Sequence, residues 1–476
     1  MDSSILQHRN IQRTKQKLKM TASRLVDHHV NLAVTGLSGS GKTAFITSLV
    51  NQLLEANEEA NLPFFNVVRE ARLVGVKRDV QPNLTFRRFA YEDAMISLTN
   101  LEPVWPLSTK GISQVRLKVK YKKSSGVSKY LTKDATLTLD ITDYPGEWLL
   151  DLPLLDMSYE QWIEHCSSEL EDPLRAELAK PFIDAISKLK LEESGDELAL
   201  KNIADLYAQY LASCQEHGFQ LLQPGRFILP GELNGAPALH FFPLIFTDNS
   251  ESKFNLKHVQ KGSNIDLLIS RFEHYKARVV QPFFQEHFRK FDRQVILVDC
   301  LSALNNGYNC YQDLQKAIDW ILGSFQYGSS SILNRLFQPK IDKLVFAASK
   351  ADHITPDQQG NLVKLLESML RNARKNIQFK GVQTESTAIA SIRASKSGSS
   401  ELGGANIQVL QGQDENGNTI TLFPGEVPQC CPPQNFWTSQ KFEFPKFSPP
   451  QLGASYSLPH IRMDQVLDFL LADKLA

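Results

Sequence analysis

Eight residues, Gly36-Leu37-Ser38-Gly39-Ser40-Gly41-Lys42-Thr43, follow the apolar run Leu32-Ala33-Val34, and their types and spacing suit a loop that wraps a phosphate. Gly36, Gly39 and Gly41 let the backbone turn so that N–H groups from Ser38 through Ala44 point inward. The Lys42 ammonium reaches β- and γ-phosphates, and the Thr43 hydroxyl suits Mg²⁺. Residues 44–50 read as a helix whose positive N-terminus faces the same phosphates. The chemistry offered is that of a nucleoside polyphosphate and its magnesium ion.

Two further motifs narrow it. In Asp140-Ile141-Thr142-Asp143-Tyr144-Pro145-Gly146, Asp143 and Gly146 make a D-x-x-G pattern at the end of an alternating strand. The carboxylate can hold Mg²⁺ through water, and the glycine leaves its N–H free for a γ-phosphate. Ser349-Lys350-Ala351-Asp352 directly follows the apolar run 344–348. At that place an Asp352 carboxylate accepts two N–H bonds from a guanine edge, which adenine does not offer, while the Lys350 stem lies over the purine. Ser349 stands where Asn or Thr is usual, a departure expected to weaken the tether to the phosphate loop.

These residues need a scaffold, and the 476-residue chain supplies one of mixed type. Its length corresponds to about three domains or one elaborated domain, and the latter is the reading taken. With 42% apolar and 22% charged residues it is globular rather than disordered. Lys+Arg and Asp+Glu both number 52, so no overall charge points to nucleic acid. The six cysteines show no C-x-x-C pair and read as reduced structural thiols. No signal peptide precedes the first strand and no apolar run approaches the ~20 residues that span a bilayer, which predicts a cytoplasmic protein.

Five segments are expected. Residues 1–30 carry a basic helix over 12–27 whose face packs on the core or touches a membrane surface or nucleic acid; neither of these outside contacts is otherwise indicated. Residues 31–150 hold the phosphate loop, a long irregular insertion over 58–112 with a short helix at 92–98, and a hairpin of strands 114–122 and 135–142. Residues 151–290 are a helical insertion, apolar at spacings of three and four from Leu170 to Leu189 and again over 198–212. Residues 291–398 form a βαβ unit, with buried strands 295–299 and 343–348 around a helix at 311–325, then a helix at 357–372 and a short strand at 381–385. Residues 399–476 contain a hairpin, a proline-rich arm held by Phe436, Trp437, Phe442, Phe444 and Phe447, and a closing helix.

Taken in order, the three motifs resemble a Ras-type GTPase domain. More closely, Asp143-Tyr144-Pro145-Gly146-Glu147-Trp148-Leu149-Leu150-Asp151-Leu152-Pro153 together with Leu458-Pro459-His460-Ile461-Arg462-Met463-Asp464 resembles the YcjX-like family of bacterial stress-associated GTP-binding proteins. The resemblance implies an α/β fold, a P-loop NTPase with a Ras-like core sheet, a large α-helical insertion and a C-terminal hairpin and arm. It also implies GTP/GDP and Mg²⁺ as ligands, slow GTP hydrolysis in a switch, a link to envelope stress and a protein partner reached through the insertion. Carried over, Thr109 becomes the second Mg²⁺-binding threonine, with Thr85 the alternative. Ala388 and Ile389 become the backbone contact with guanine O6, unless they are an ordinary strand-end turn. Glu147 stands where the water-orienting residue belongs, beside Lys42 and Gly146 in the catalytic set. Its carboxylate can accept a proton but also repels a γ-phosphate. Arg78, Arg87 and Arg88 lie in the long insertion without an assignable role as an arginine finger. A non-hydrolysing nucleotide-bound scaffold, or an ATP-dependent ATPase or kinase, remains as the other reading.

Overall fold

The computed structural model describes residues 28–56, 61–81, 83–109, 111–124, 134–245, 259–324, 341–379, 381–402, 405–452 and 457–476. The expected basic helix over 12–27 and the tip of the hairpin turn lie outside them.

Strand β1 (His28–Gly36) alternates strictly: Val30, Leu32 and Val34 enter one apolar core and Ala33 the other, so the strand is buried on both faces. It pairs in parallel with β5 (Asp134–Asp143) on one side and β6 (Arg293–Val298) on the other. Beyond β5 run β4 (Ser113–Lys122) and then β2 (Leu73–Asp79), each antiparallel to its neighbour, with the two-residue β3 (Arg87–Arg88) set on β4. Beyond β6 run β7 (Lys343–Ala348) and β8 (Gln383–Ala388), both parallel. The order β2-β4-β5-β1-β6-β7-β8 places the chain reversal beside β1, so the crevice at its carboxyl end is where a ligand binds in such sheets. This is an α/β fold with a mostly parallel central sheet.

On one face, α1 (Lys42–Leu54) contributes Phe45, Leu49 and Leu53 to a core closed by Met463, Leu467 and Leu471 of the last helix, Met463–Leu471. That last helix and the residues on either side of it bind back to the first part of the chain: Gln52 Nε2 donates to the Leu458 carbonyl, Asn66 N to Asp468 Oδ1 at 2.8 Å, and Tyr121 OH to the Lys474 carbonyl at 2.9 Å. Helix α2 (Tyr91–Thr99) lies against α1, as the short helix expected at 92–98.

On the other face sits the helical insertion: α3 (Tyr159–Glu169), α4 (Pro173–Ile186), α5 (Glu197–Glu216) and α6 (Asn264–Tyr275), the last continuing through a π turn into Gln281–Glu286. The apolar period from Leu170 to Leu189 is not one helix. The Asp172 carboxylate caps α4 by accepting from Leu174 N and Arg175 N, with Pro173 at the first helical position, and this starts a new axis. After β6 come α7 (Cys300–Asn305) and α8 (Tyr308–Ser324), and after β7 comes α9 (Gln359–Phe379).

Three strands in the described residues were not expected. β2 and β3 give order to a segment read as irregular, and β9 (Ser395–Leu402) begins ahead of 399 and joins β10 (Ala405–Gln413) and β11 (Thr419–Leu422) in a small antiparallel sheet. β9 reads Ser395-Lys396-Ser397-Gly398-Ser399-Ser400-Glu401-Leu402, so pairing with β10, not propensity, makes it a strand. The proline-rich arm is extended apart from the turn Phe436–Ser439. Phe444 and Phe447 are buried, and Phe436, Trp437 and Phe442 pack on one another. All six cysteines are free thiols. Among the described residues no helix is long and apolar enough to cross a membrane.

Candidate functional site

The loop after β1 turns through Gly39 (φ 75°) and Gly41 (φ 85°), left-handed conformations that a side chain would strain. Gly36 is glycine for another reason: a Cβ there would stand 2.6 Å from the Leu297 carbonyl oxygen of β6. No side chain caps α1, so its first amides remain for an anion, and the buried Ser40 hydroxyl has no hydrogen-bond partner. Lys42 folds back over the loop, its Nζ donating to the Gly36 carbonyl at 2.5 Å and the Leu37 carbonyl at 3.5 Å. Ser38 and Ala44 flank this turn, in the loop and in the first turn of α1.

Thr43 and Thr109 meet there, with their hydroxyl oxygens 3.5 Å apart. Asp143, at the end of β5, is 1% exposed, and among the described residues neither carboxylate oxygen meets a well-formed hydrogen bond. Burial pushes its pKa up to about 6, against the pull of the Lys42 ammonium and the Thr109 hydroxyl, while Glu147 adds to the rise. A buried carboxylate left without partners is expensive unless something absent from the protein satisfies it. Two hydroxyls and a carboxylate form a hard, all-oxygen set that fits Mg²⁺. Among the described residues no group of three or more His, Cys, Asp or Glu could hold a metal by itself. Thr85 lies elsewhere, exposed, with its hydroxyl on Asn83 Oδ1 at 2.6 Å. Arg78 and Arg88 are both spent on Glu92, and Arg87 is exposed on β3.

Gly146 presses on the start of the phosphate loop: a Cβ would stand 2.6 Å from the Gly36 carbonyl oxygen. Glu147 is 3% exposed, with Oε2 unpartnered, and its backbone is covered by Gly225 of the insertion. Trp148 donates from Nε1 to the Leu229 carbonyl at 3.0 Å and carries the Arg226 guanidinium 3.3 Å above its ring. Asp151 completes this grip, accepting from Gly225 N at 2.7 Å and from Tyr275 OH at 2.6 Å, and burial pushes its carboxyl up to about 7. A Cβ on Gly225 would stand 2.1 Å from the Glu147 carbonyl oxygen, so Gly225→Ala must separate the insertion from the segment after Gly146. It is expected to destabilise the protein by about 1–3 kcal/mol in thermal or urea unfolding. Gly360→Ala, with nothing within 4 Å, serves as the control. A Gly225→Ala protein as stable as wild type would show that the two segments are not rigidly joined.

On the far side of the loop, Asp352 is 4% exposed and accepts the Ala394 N–H on Oδ2 at 2.7 Å. Lys350 (φ 62°) reaches Asp299 Oδ2 at 2.5 Å and Ser302 Oγ at 3.4 Å. Ser349 lies against β6, its N–H donating to the Val298 carbonyl at 3.0 Å and its Oγ to the same oxygen at 3.4 Å. Ala388 ends β8. Ile389 donates to the Ala348 carbonyl at 2.8 Å and accepts from Ala351 N at 2.9 Å, which fixes both residues against the Ser349–Asp352 loop. Asp299 escaped the sequence reading as a site residue although it directly follows a buried strand, where it caps α7. Gly36 to Ser40, Gly146, Asp299, Ser302 and Lys350 border a cavity of about 350 Å³ that Gln215 and Gln220 of the insertion help to close.

The chain matches the model of the YcjX-like family, DUF463, over residues 30–475. It is 44% identical to the Ras-like GTPase YcjX of Shewanella oneidensis over 479 residues, covering 98% of this chain and 99% of that one. It is 42% identical over 467 residues to the Ras-like GTPase YcjX of Escherichia coli K12, covering 98% of this chain and all of the other.

Proposed function

The chain belongs to the YcjX-like family, and from that membership together with the site's geometry we propose that it binds GTP and GDP with Mg²⁺ and hydrolyses GTP slowly as a bacterial switch. The observation that carries this reading is the convergence of Lys42, Thr43 and Thr109 on a buried Asp143 carboxylate whose oxygens meet no well-formed hydrogen bond among the described residues. Thr43, Thr109 and Asp143 would hold the ion, and when bound it would supply positive charge to the phosphates. Lys42 exchanges its loop carbonyls for phosphate oxygens, the amides from Ser38 to Ala44 cradle the β-phosphate, and Gly146 N–H meets the γ-phosphate. Asp352 accepts the guanine edge, with Lys350 along the ring and Ala388 and Ile389 at O6.

In the switch, the γ-phosphate orders the segments around Thr109 and Gly146, and the Glu147–Gly225 and Asp151 contacts carry that order into the helical insertion, where a protein partner reads it. The setting is the bacterial cytoplasm under stress. Calorimetric titration with GDP and ADP tests the assignment: guanine-selective binding supports it, and preference for adenine rejects it. A second reading, a scaffold that holds nucleotide without hydrolysing it, is favoured by the burial of Glu147 beneath Gly225. Single-turnover assays separate the two.

Glu147→Gln is expected to raise the single-turnover rate, on the order of 10-fold, because a buried negative charge near the γ-phosphate is removed. Were Glu147 the base that takes the proton from water, the same change would slow turnover by ~10²-fold or more. An unchanged rate would make Glu147 a structural residue of the loop.

A further inference from the structure

Lys446 lies at the centre of the best-anchored stretch of the proline-rich arm. Phe444 is held at both backbone groups by the Asn305 side chain at the end of α7, at 2.9 and 3.0 Å. The Pro445 carbonyl binds His353 Nδ1 at 2.6 Å, one residue beyond Asp352. The Phe447 carbonyl accepts from Trp105 Nε1 at 2.9 Å, four residues before Thr109, and its buried ring packs on His353 with centroids 5.3 Å apart. Ser448 is bound to the Gln413 carbonyl through N–H at 2.9 Å and to the Asp414 carbonyl through Oγ at 2.8 Å.

Every neighbour of Lys446 is therefore pinned, each to a different element, while Lys446 is exposed and shows no carboxylate or hydrogen-bond partner among the described residues. It borders the phosphate-loop cavity together with Ser38, Gly39, Ser40, Asp299 and Lys350. The other lysine of that cavity, Lys350, is paired with Asp299, and Lys42 at the start of α1 rests on loop carbonyls. A cation whose chain neighbours are fixed, which has no partner among the described residues and which borders the phosphate-loop cavity is placed to meet an anion there.

We propose that Lys446 is a nucleotide-binding residue that places its ammonium on the phosphates GDP and GTP have in common, making the arm a strap across the site. The proposal rests on the guanine-nucleotide reading above. Lys446 shares its cavity with Ser38, Gly39 and Ser40 of the phosphate loop, which serve the β-phosphate of both nucleotides, and with Gly146, Asp299 and Lys350; an ammonium placed on the loop side of that cavity meets the two nucleotides where they are alike. The strap's anchors, Trp105 and His353, stand beside the Thr109 segment and the Asp352 loop.

The test is equilibrium binding and release of a fluorescent GDP analogue, with GTP in competition, for wild type, Lys446→Ala, Lys446→Glu and Lys446→Arg. Lys441→Ala is the arm control, since Lys441 pairs with Glu443 in solvent. Lys446→Ala is expected to weaken GDP and GTP by the same factor, on the order of 10-fold, with faster release and a shallower salt dependence. Lys446→Glu should lose more, and Lys446→Arg and Lys441→Ala should match wild type. Affinities for Lys446→Ala and Lys446→Glu equal to a tightly binding wild type would overturn this proposal alone. A wild type that binds no guanine nucleotide would overturn it together with the reading it rests on.

Discussion

Lys42→Ala is expected to lose the GDP-dependent rise in unfolding temperature altogether, while the ligand-free protein unfolds as wild type does. A ligand present at 1,000 times its Kd adds about 4.1 kcal/mol of stability, so the wild-type shift is large and easily measured. Lys42 is half-buried and its ammonium touches only the Gly36 and Leu37 carbonyls, within the loop it belongs to. Truncation therefore strands no buried charge and opens no cavity in the sheet. What disappears is the cation for the phosphates, which nothing else at the start of α1 replaces. Differential scanning fluorimetry across a GDP series checks this, and a mutant with the wild-type shift would remove the phosphate loop from the account.

The second large effect is on base choice. Asp352→Asn is expected to weaken GDP and GTP by about 1–3 kcal/mol and to improve xanthine nucleotides. The reason lies in the surroundings of Asp352. Its Oδ2 already accepts the Ala394 N–H, and it sits nearly without exposure. An asparagine must keep its amide oxygen on that N–H, which turns its NH₂ toward the ligand, where a guanine donor then faces a donor. Xanthine presents an acceptor at the same edge. Titration calorimetry with GDP and XDP decides, and unchanged GDP binding in the mutant would remove guanine recognition from Asp352.

The parts of this molecule legible in the sequence are those whose meaning is local. Gly36 to Thr43 announce a loop because glycines, lysine and threonine must stand at fixed offsets, and the apolar runs into Asp143 and Ser349 mark strands buried on both faces. The hairpin of β4 and β5 showed by alternation. What escaped depends on residues distant in the chain. β9 is polar and becomes a strand only by pairing with β10. Asp299 gains its meaning from Lys350, 51 positions later, and Gly225 from a carbonyl at Glu147 that no spacing rule connects to it. Thr109, chosen in the sequence with Thr85 as the alternative, is the one of the two that lies beside Thr43, a proximity no spacing rule supplies. The resemblance over Leu458 to Asp464 pointed to a specific motif but not to its role, which is to lie against the helix that follows the phosphate loop.

That return of residues 458–475 onto α1 and the strands near it sets a schedule for the chain as it is made. The hydrogen bonds from Gln52 to Leu458 and from Asn66 to Asp468 join residues 406 and 402 positions apart. At about 5–20 residues per second, a ribosome that has finished α1 needs roughly 20–80 s to deliver its cover. Through that interval the apolar face of Phe45, Leu49 and Leu53 waits without Met463, Leu467 and Leu471. The half of the protein that carries the phosphate loop is thus translated first and completed last, so a nascent chain stalled before residue 458 should be a client for chaperones rather than a holder of nucleotide.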